Sequence, residues 1–120
     1  MELPILTNTT CCAPSTGCCE PSYPVAILGA GPIGLASAAH LKAYNIPFII
    51  LEKGEAAANV ATWGHVQLFS PWEFNVDAAA QKLLERTDWQ MPNKDDIPTG
   101  EALREHYLLP LSKLFQEQLR

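Results

Sequence analysis

Positive charge is scarce in this 120-residue sequence: eight Lys and Arg face thirteen Asp and Glu, for a formal net charge of −5. Nucleic acid and anionic membrane surfaces are bound through basic patches, so neither is expected as a partner. Long apolar runs are also missing. No stretch approaches the ~20 apolar residues of a membrane-spanning helix. The opening Met1-Glu2-Leu3-Pro4-Ile5 has neither the basic cluster nor the apolar block of a secretory leader, and the default is a cytoplasmic chain. Hydrophobic residues make up 48% of the sequence. That is enough for a packed core and excludes disorder of the whole chain.

Cysteine is absent after residue 19. All four cysteines fall in the first 24 residues, together with Pro4, Pro14, Pro21 and Pro24, and this part shows neither helical nor strand periodicity. Residues 1–24 therefore read as a flexible arm outside the core. Cys11-Cys12 and Cys18-Cys19 are adjacent pairs, separated by the turn-forming Ala13-Pro14-Ser15-Thr16-Gly17. Neighbouring cysteines rarely bridge each other, because disulfide geometry strains the peptide between them. Cross-pair bridges would normally stay reduced in the cytoplasm. Clustered thiolates suit a thiophilic metal or metalloid such as Zn(II), Cu(I) or As(III). A cluster of free thiols without a ligand is the alternative.

Residues 25–53 carry the densest signal. Val25-Ala26-Ile27-Leu28 reads as a short buried strand, and Gly29, Gly31 and Gly34 follow in G-x-G-x-x-G spacing. In a dinucleotide-binding turn, the first glycine makes the tight turn and the second admits the pyrophosphate. The third lets the helix pack close to the sheet. Pro32 suits the first helical turn. The helix is expected to stop near Tyr44, with Asn45 as a left-handed cap and Pro47 beyond it. Phe48-Ile49-Ile50-Leu51 is a continuous apolar run typical of a parallel strand buried on both faces. It ends in Glu52, 23 positions after Gly29, close to the ~20 expected of the acid that accepts ribose hydroxyls. A carboxylate there repels a 2′-phosphate, which disfavours NADP at this site. The alternative is a βαβ unit that uses its glycines for packing alone.

Beyond Glu52, Val66–Phe69 reads as a short strand ended by Pro71. Trp63, Phe69, Trp72 and Phe74 suit either a core or the wall of a flat cofactor. His65 has no partner at a recognisable spacing and reads as structural. Val76, Ala79, Ala80, Leu83 and Leu84 mark an amphipathic helix within 75–90, capped by Asn75 or Asp77. Asp95-Asp96 belongs to a polar loop. A last helix starts at the Thr99 cap and runs through Leu103, Tyr107, Leu111 and Phe115. Pro110 should kink it, leaving the carbonyl of His106 without its N–H partner. No further strand is expected before Arg120.

Residues 25–120 resemble the N-terminal part of FAD-dependent oxidoreductases with two dinucleotide-binding domains, of the flavin-containing monooxygenase-like and pyridine-nucleotide-linked kinds. The carriers are the glycine turn, Leu51-Glu52-Lys53, Trp63 through Trp72, and Pro98-Thr99-Gly100-Glu101 with the following Tyr107-Leu108. The resemblance implies an α/β fold: a partial Rossmann-like FAD/NAD(P)-binding domain, with a βαβ unit followed by mainly helical segments. It implies that Gly29, Ala30, Gly31, Pro32, Ile33 and Gly34 surround the FAD pyrophosphate. Glu52 would meet the ribose, Lys53 would lie near the adenosine, and Trp63 would lie close to the cofactor. Ala61-Thr62 stands where the family usually has a double glycine. The family's second glycine motif, for NAD(P)H, and its flavin-closing segment are not found. Hydride transfer needs the nicotinamide held against the flavin. The chain is therefore expected to be an N-terminal fragment or truncated product of such an enzyme, with sheet edges able to self-associate. A non-functional fragment is the alternative. The cysteine pairs resemble those of arsenical-resistance metallochaperones, which implies As(III) as their ligand.

Overall fold

A computed structural model describes residues 23–120. Cys11, Cys12, Cys18, Cys19 and nearly all of the arm lie outside the described residues. Strand β1 (Val25–Leu28) leads through the glycine turn into helix α1 (Pro32–Ala43), which returns to strand β2 (Phe48–Leu51). The strands pair in parallel, Val25 opposite Phe48 and Leu28 opposite Leu51. Helix α1 ends as its sequence requires. Tyr44 caps it, and Asn45 takes a left-handed φ of 56°, leaving Pro47 to begin the extended return.

The sheet continues where no further strand was expected. Ile50 N–H donates to the Gln118 carbonyl (2.8 Å), while Arg120 N–H donates to Ile50 and Glu52 N–H to Arg120. Leu119 thus bridges Ile50 in parallel, on the opposite edge of β2 from β1. The strand order is third–second–first, as in a doubly wound nucleotide-binding sheet. Three residues are too few to display alternation, so this pairing leaves no periodic trace in the sequence.

Among the described residues, only one sheet face is covered. Ile27, Phe48 and Ile50 point into the core, whereas Leu28 is 81% and Leu51 41% exposed. The burial expected of Val25–Leu28, and of Phe48–Leu51 on both faces, does not hold at Leu28 and Leu51, because the described helices pack on a single side. Phe115 meets Phe48 edge-on, with ring centroids 5.7 Å apart. Leu35, Ala38 and Ala39 of α1 fill the same side.

The middle of the chain is more broken than its periodicity suggests. Helix α2 (Ala58–Thr62) is followed by α3 (Trp72–Asn75) and α4 (Ala78–Leu84), so the helix expected within 75–90 is confined to seven residues. Asp77 is its cap, accepting from Ala80 N–H at 3.0 Å. The Asn75 amide instead turns back to Ser70 and Pro71. Val66–Phe69 does not form a strand. Leu68 N–H donates to Pro98 and Gly100 N–H to Val66, around a single Gln67–Thr99 bridge. Pro98 has no N–H to return to Leu68, so the ladder stops. Trp72 is buried, whereas Phe69 and Phe74 are exposed and form no part of the core.

Thr99 caps α5 (Gly100–Leu103), accepting from Ala102 N–H. A π-helical turn (Arg104–Leu108) then leads into α6 (Leu109–Lys113). The wider turn accommodates Pro110 in place of a simple kink. The His106 carbonyl, which Pro110 cannot serve, accepts the indole N–H of Trp89. Trp89→Phe should therefore lower stability by about 1 kcal/mol in denaturant titration, and most of that loss should vanish in a Pro110→Ala background.

Candidate functional site

The glycine turn derives its shape from two contacts. Gly29 has a φ of +100°, open to glycine and strained for other residues, and its N–H donates to the Leu51 carbonyl (2.8 Å). A Cβ on Gly34 would lie 2.0 Å from the Gly29 carbonyl oxygen. Helix and strand thus meet at a distance that excludes any side chain. Gly31 differs: nothing lies within 4 Å of the space its Cβ would fill. It starts α1 without a side-chain cap, and Pro32 occupies the first turn. The first-turn N–H groups of α1 are therefore not met by a side-chain cap.

Glu52 closes the turn from the end of β2. Its Oε2 accepts from Ala30 N–H at 2.8 Å and its Oε1 from Gly54 N–H at 3.0 Å. These bonds, the one from Ala30 foremost, hold the carboxyl pKa below its ordinary value. A carboxylate offers about four acceptor positions, so these two bonds do not saturate it.

A cavity of about 440 Å³ is lined by Gly31, Pro32, Glu52, Lys53 and Trp63, joined by Glu55 and residues of α2. Five of the nine residues expected to hold the cofactor therefore share one space. Gly29 and Gly34 act behind it as scaffold, and Ala30 acts through its backbone. Ile33 is 80% exposed and lines a separate groove along β1. Among the residues not anticipated, Ala57 matters most. It is buried, adopts a left-handed φ of 56° ahead of α2, and its N–H donates to the Ala30 carbonyl. An alanine in that conformation gives no signal in sequence.

Trp63 owes its position to Gly100, where a Cβ would fall 2.6 Å from the indole ring. The Pro98-Thr99-Gly100 stretch thus supplies a helix cap and a seat for the tryptophan together. His65 is exposed and lies outside this cavity. Asp95 and Asp96 sit in a loop, and no group of three metal-ligating side chains occurs among the described residues. No helix among them is long and apolar enough to cross a membrane.

Residues 26–116 match the family described as pyridine nucleotide-disulphide oxidoreductase. The chain belongs to that family. Its fold recurs in the bacillithiol disulfide reductase Bdr (YpdA) of Bacillus cereus, with a TM-score of 0.54 at 21% identity over 81% of this chain and 27% of that one. The Staphylococcus aureus protein gives 0.56 at 22% identity, over 84% and 28%. In sequence, 51 residues are 41% and 43% identical to the probable indole-3-pyruvate monooxygenases YUCCA8 and YUCCA7 of Arabidopsis thaliana. Those matches cover 40% of this chain and 12% of the plant proteins. The family member described here thus has the α/β architecture of the N-terminal part of a Rossmann-like dinucleotide-binding domain.

The lowered pKa of Glu52 has a defined sign. Its ionised form gains hydrogen bonds on folding, so its stabilisation is complete above the unfolded-state pKa and is lost as pH falls through the folded one. Glu52→Gln should be less stable than the parent at neutral pH, and the gap should close in acid. Chemical denaturation of both proteins across that range measures it.

Proposed function

We propose that this chain is the FAD-binding portion of a flavoprotein oxidoreductase, gripping the ADP half of FAD. The carrying observation is the shared cavity of Gly31, Pro32, Glu52, Lys53 and Trp63. The open space at Gly31 suits close approach of a pyrophosphate, and the uncapped start of α1 offers N–H groups and a positive dipole end. The free acceptor positions of Glu52 suit the ribose hydroxyls, with Lys53 beside the adenosine. Trp63 would close the far side as an apolar wall. Gly29, Ala30 and Gly34 would hold the turn in shape, and Ile33 would contribute its backbone at the helix start.

FAD, when bound, supplies the electron-accepting and electron-donating chemistry. This chain's residues bind and orient its adenosine end. NAD(P)H would be handled by other parts of a complete parent protein. The match to plant monooxygenases supports a monooxygenase-like parent, and the family description equally admits a disulfide-reducing one.

Two glycine variants separate grip from scaffold. Gly31→Val should fold normally and lose saturable binding of both FAD and ADP in fluorescence or calorimetric titration. Gly34→Ala should cost about 1–3 kcal/mol or more in stability, because the clash is with backbone. A folded parent chain that binds neither FAD nor ADP would remove the proposal.

A second reading concerns the arm, supported by four cysteines within nine residues. Cys11, Cys12, Cys18 and Cys19 would bind a thiophilic ion. Arsenous acid would condense with three thiols, each S–H proton leaving with one hydroxyl as water, with no change of oxidation state. The parent should take up As(III) or Zn(II) stoichiometrically, and a variant with all four cysteines changed to Ser should not. Equal, negligible uptake by both would discard this reading.

A further inference from the structure

Three of the eight Lys and Arg side chains in this acidic protein meet at one place. A cavity of about 520 Å³ lies between the end of α1 and α4, and Lys42, Lys82 and Arg86 line it with His40, Tyr44 and Asn45. No Asp or Glu among the described residues belongs to that lining. Among the same residues, Lys42, Lys82 and Arg86 enter no ion pair. The acids that flank α4 are engaged elsewhere, Asp77 by His40 and Ala80 N–H, and Glu85 by the Gln81 amide. Helix C-termini favour cations, which accounts singly for Lys42 and Lys82 in the last turns of α1 and α4. It does not account for their convergence. Lys82 and Arg86 stand four positions apart, a spacing at which like charges on a helix repel, and Lys42 brings a third charge from α1. Helix-end carbonyls do not offset them. Those of His40, Leu41 and Lys42 accept from Tyr44, Ile46 and Asn45 N–H, and that of Leu83 from Arg86 N–H.

We propose that this crevice binds a phosphate group carrying two or more negative charges. Lysine acts on phosphate as a point charge, and a tetrahedral group presents oxygens in several directions to cations that come from two helices. A planar carboxylate would be met by the single guanidinium fork and would leave two lysines unmatched. The Asn45 amide can add an N–H donor and Tyr44 a hydroxyl. Ala79 and Leu83 also line the crevice, and low-dielectric walls concentrate the field of charges of one sign. Tyr44 is 74% exposed, so its ring can stack on a base where the phosphate belongs to a nucleotide. The volume lies within the ~300–1,000 Å³ of small-ligand pockets.

The site does not depend on FAD binding, because it lies at the opposite end of α1 from the glycine turn, a helix about 18 Å long. Its test is a titration of the full chain with inorganic pyrophosphate, in a Gly31→Val background so that the glycine turn does not compete. The amide resonances of Ala43, Asn45 and Leu83, followed by NMR, should shift saturably. Sodium chloride at equal ionic strength should not reproduce the shift. Lys82→Gln and Arg86→Gln should each weaken binding by at least about tenfold. Lys113→Gln, which removes a cation from the last turn of α6, should leave it unchanged. If Gly31→Val does not fold, the parent chain serves, since the same resonances report on the crevice alone. ADP then distinguishes the source of the group. Binding tighter than that of pyrophosphate, with the gain lost in Tyr44→Ala, supports a nucleotide, and equal binding supports the phosphate group alone. Shifts that never saturate would overturn the proposal. So would an equal loss in Lys113→Gln and Lys82→Gln, or acetate binding as tightly as pyrophosphate.

Discussion

The contact between Gly34 and the Gly29 carbonyl sets the distance at which α1 crosses β1, and the candidate site is built outward from it. With a Cβ excluded there, the helix starts directly beside the strand end, and its first turn faces the end of β2. Glu52 can then reach Ala30 and Gly54 N–H with one carboxylate. Moving α1 outward by the thickness of a methyl group would part Ala30 from Glu52 and widen the cavity between Pro32 and Trp63. The same closeness explains why α1 buries small residues, Ala38 and Ala39, beside Leu35.

Where local chemistry dictated geometry, the sequence was a good guide. The Asn45 stop and the Asp77 and Thr99 caps are each fixed by neighbours within a few residues. The glycine turn and the acid closing β2 follow a motif spacing whose contacts, Gly29 to Leu51 and Ala30 to Glu52, close over 22 positions. The partners that complete the structure come from far along the chain and left no local mark. Leu119 joins β2 from 69 positions away, and Trp89 serves a carbonyl 17 positions on. Ala57 adopts a conformation that alanine disfavours, because tertiary packing imposes it. Val66–Phe69 looked like a strand by composition, but its would-be partner contains Pro98.

Pro110 shows how one missing donor spreads. Its effect appears upstream, as a π-helical turn that redirects Arg104 and Tyr107. Tyr107 is buried, which pushes its phenol pKa up, and its oxygen accepts the backbone N–H of Asp77. Asp77 in turn meets His40 of α1 at 2.9 Å. Burial opposes the charge on Asp77, yet His40 and Ala80 N–H outweigh it and lower the pKa. A polar chain thereby links the far end of α1 to the π-helical turn, fastening the helix whose other end forms the candidate cofactor site.

The bare sheet face has a consequence for thermal behaviour. Unfolding heat capacity rises with the apolar surface newly exposed to water, about 12–15 cal/mol/K per residue in ordinary domains. Here Leu28 and Leu51 already meet solvent in the folded protein, so the described residues have less apolar surface left to expose. Their free-energy curve against temperature is flatter than that of a sheet sandwiched between two helical layers, and its melting and cold-unfolding limits lie further apart for a given maximum stability.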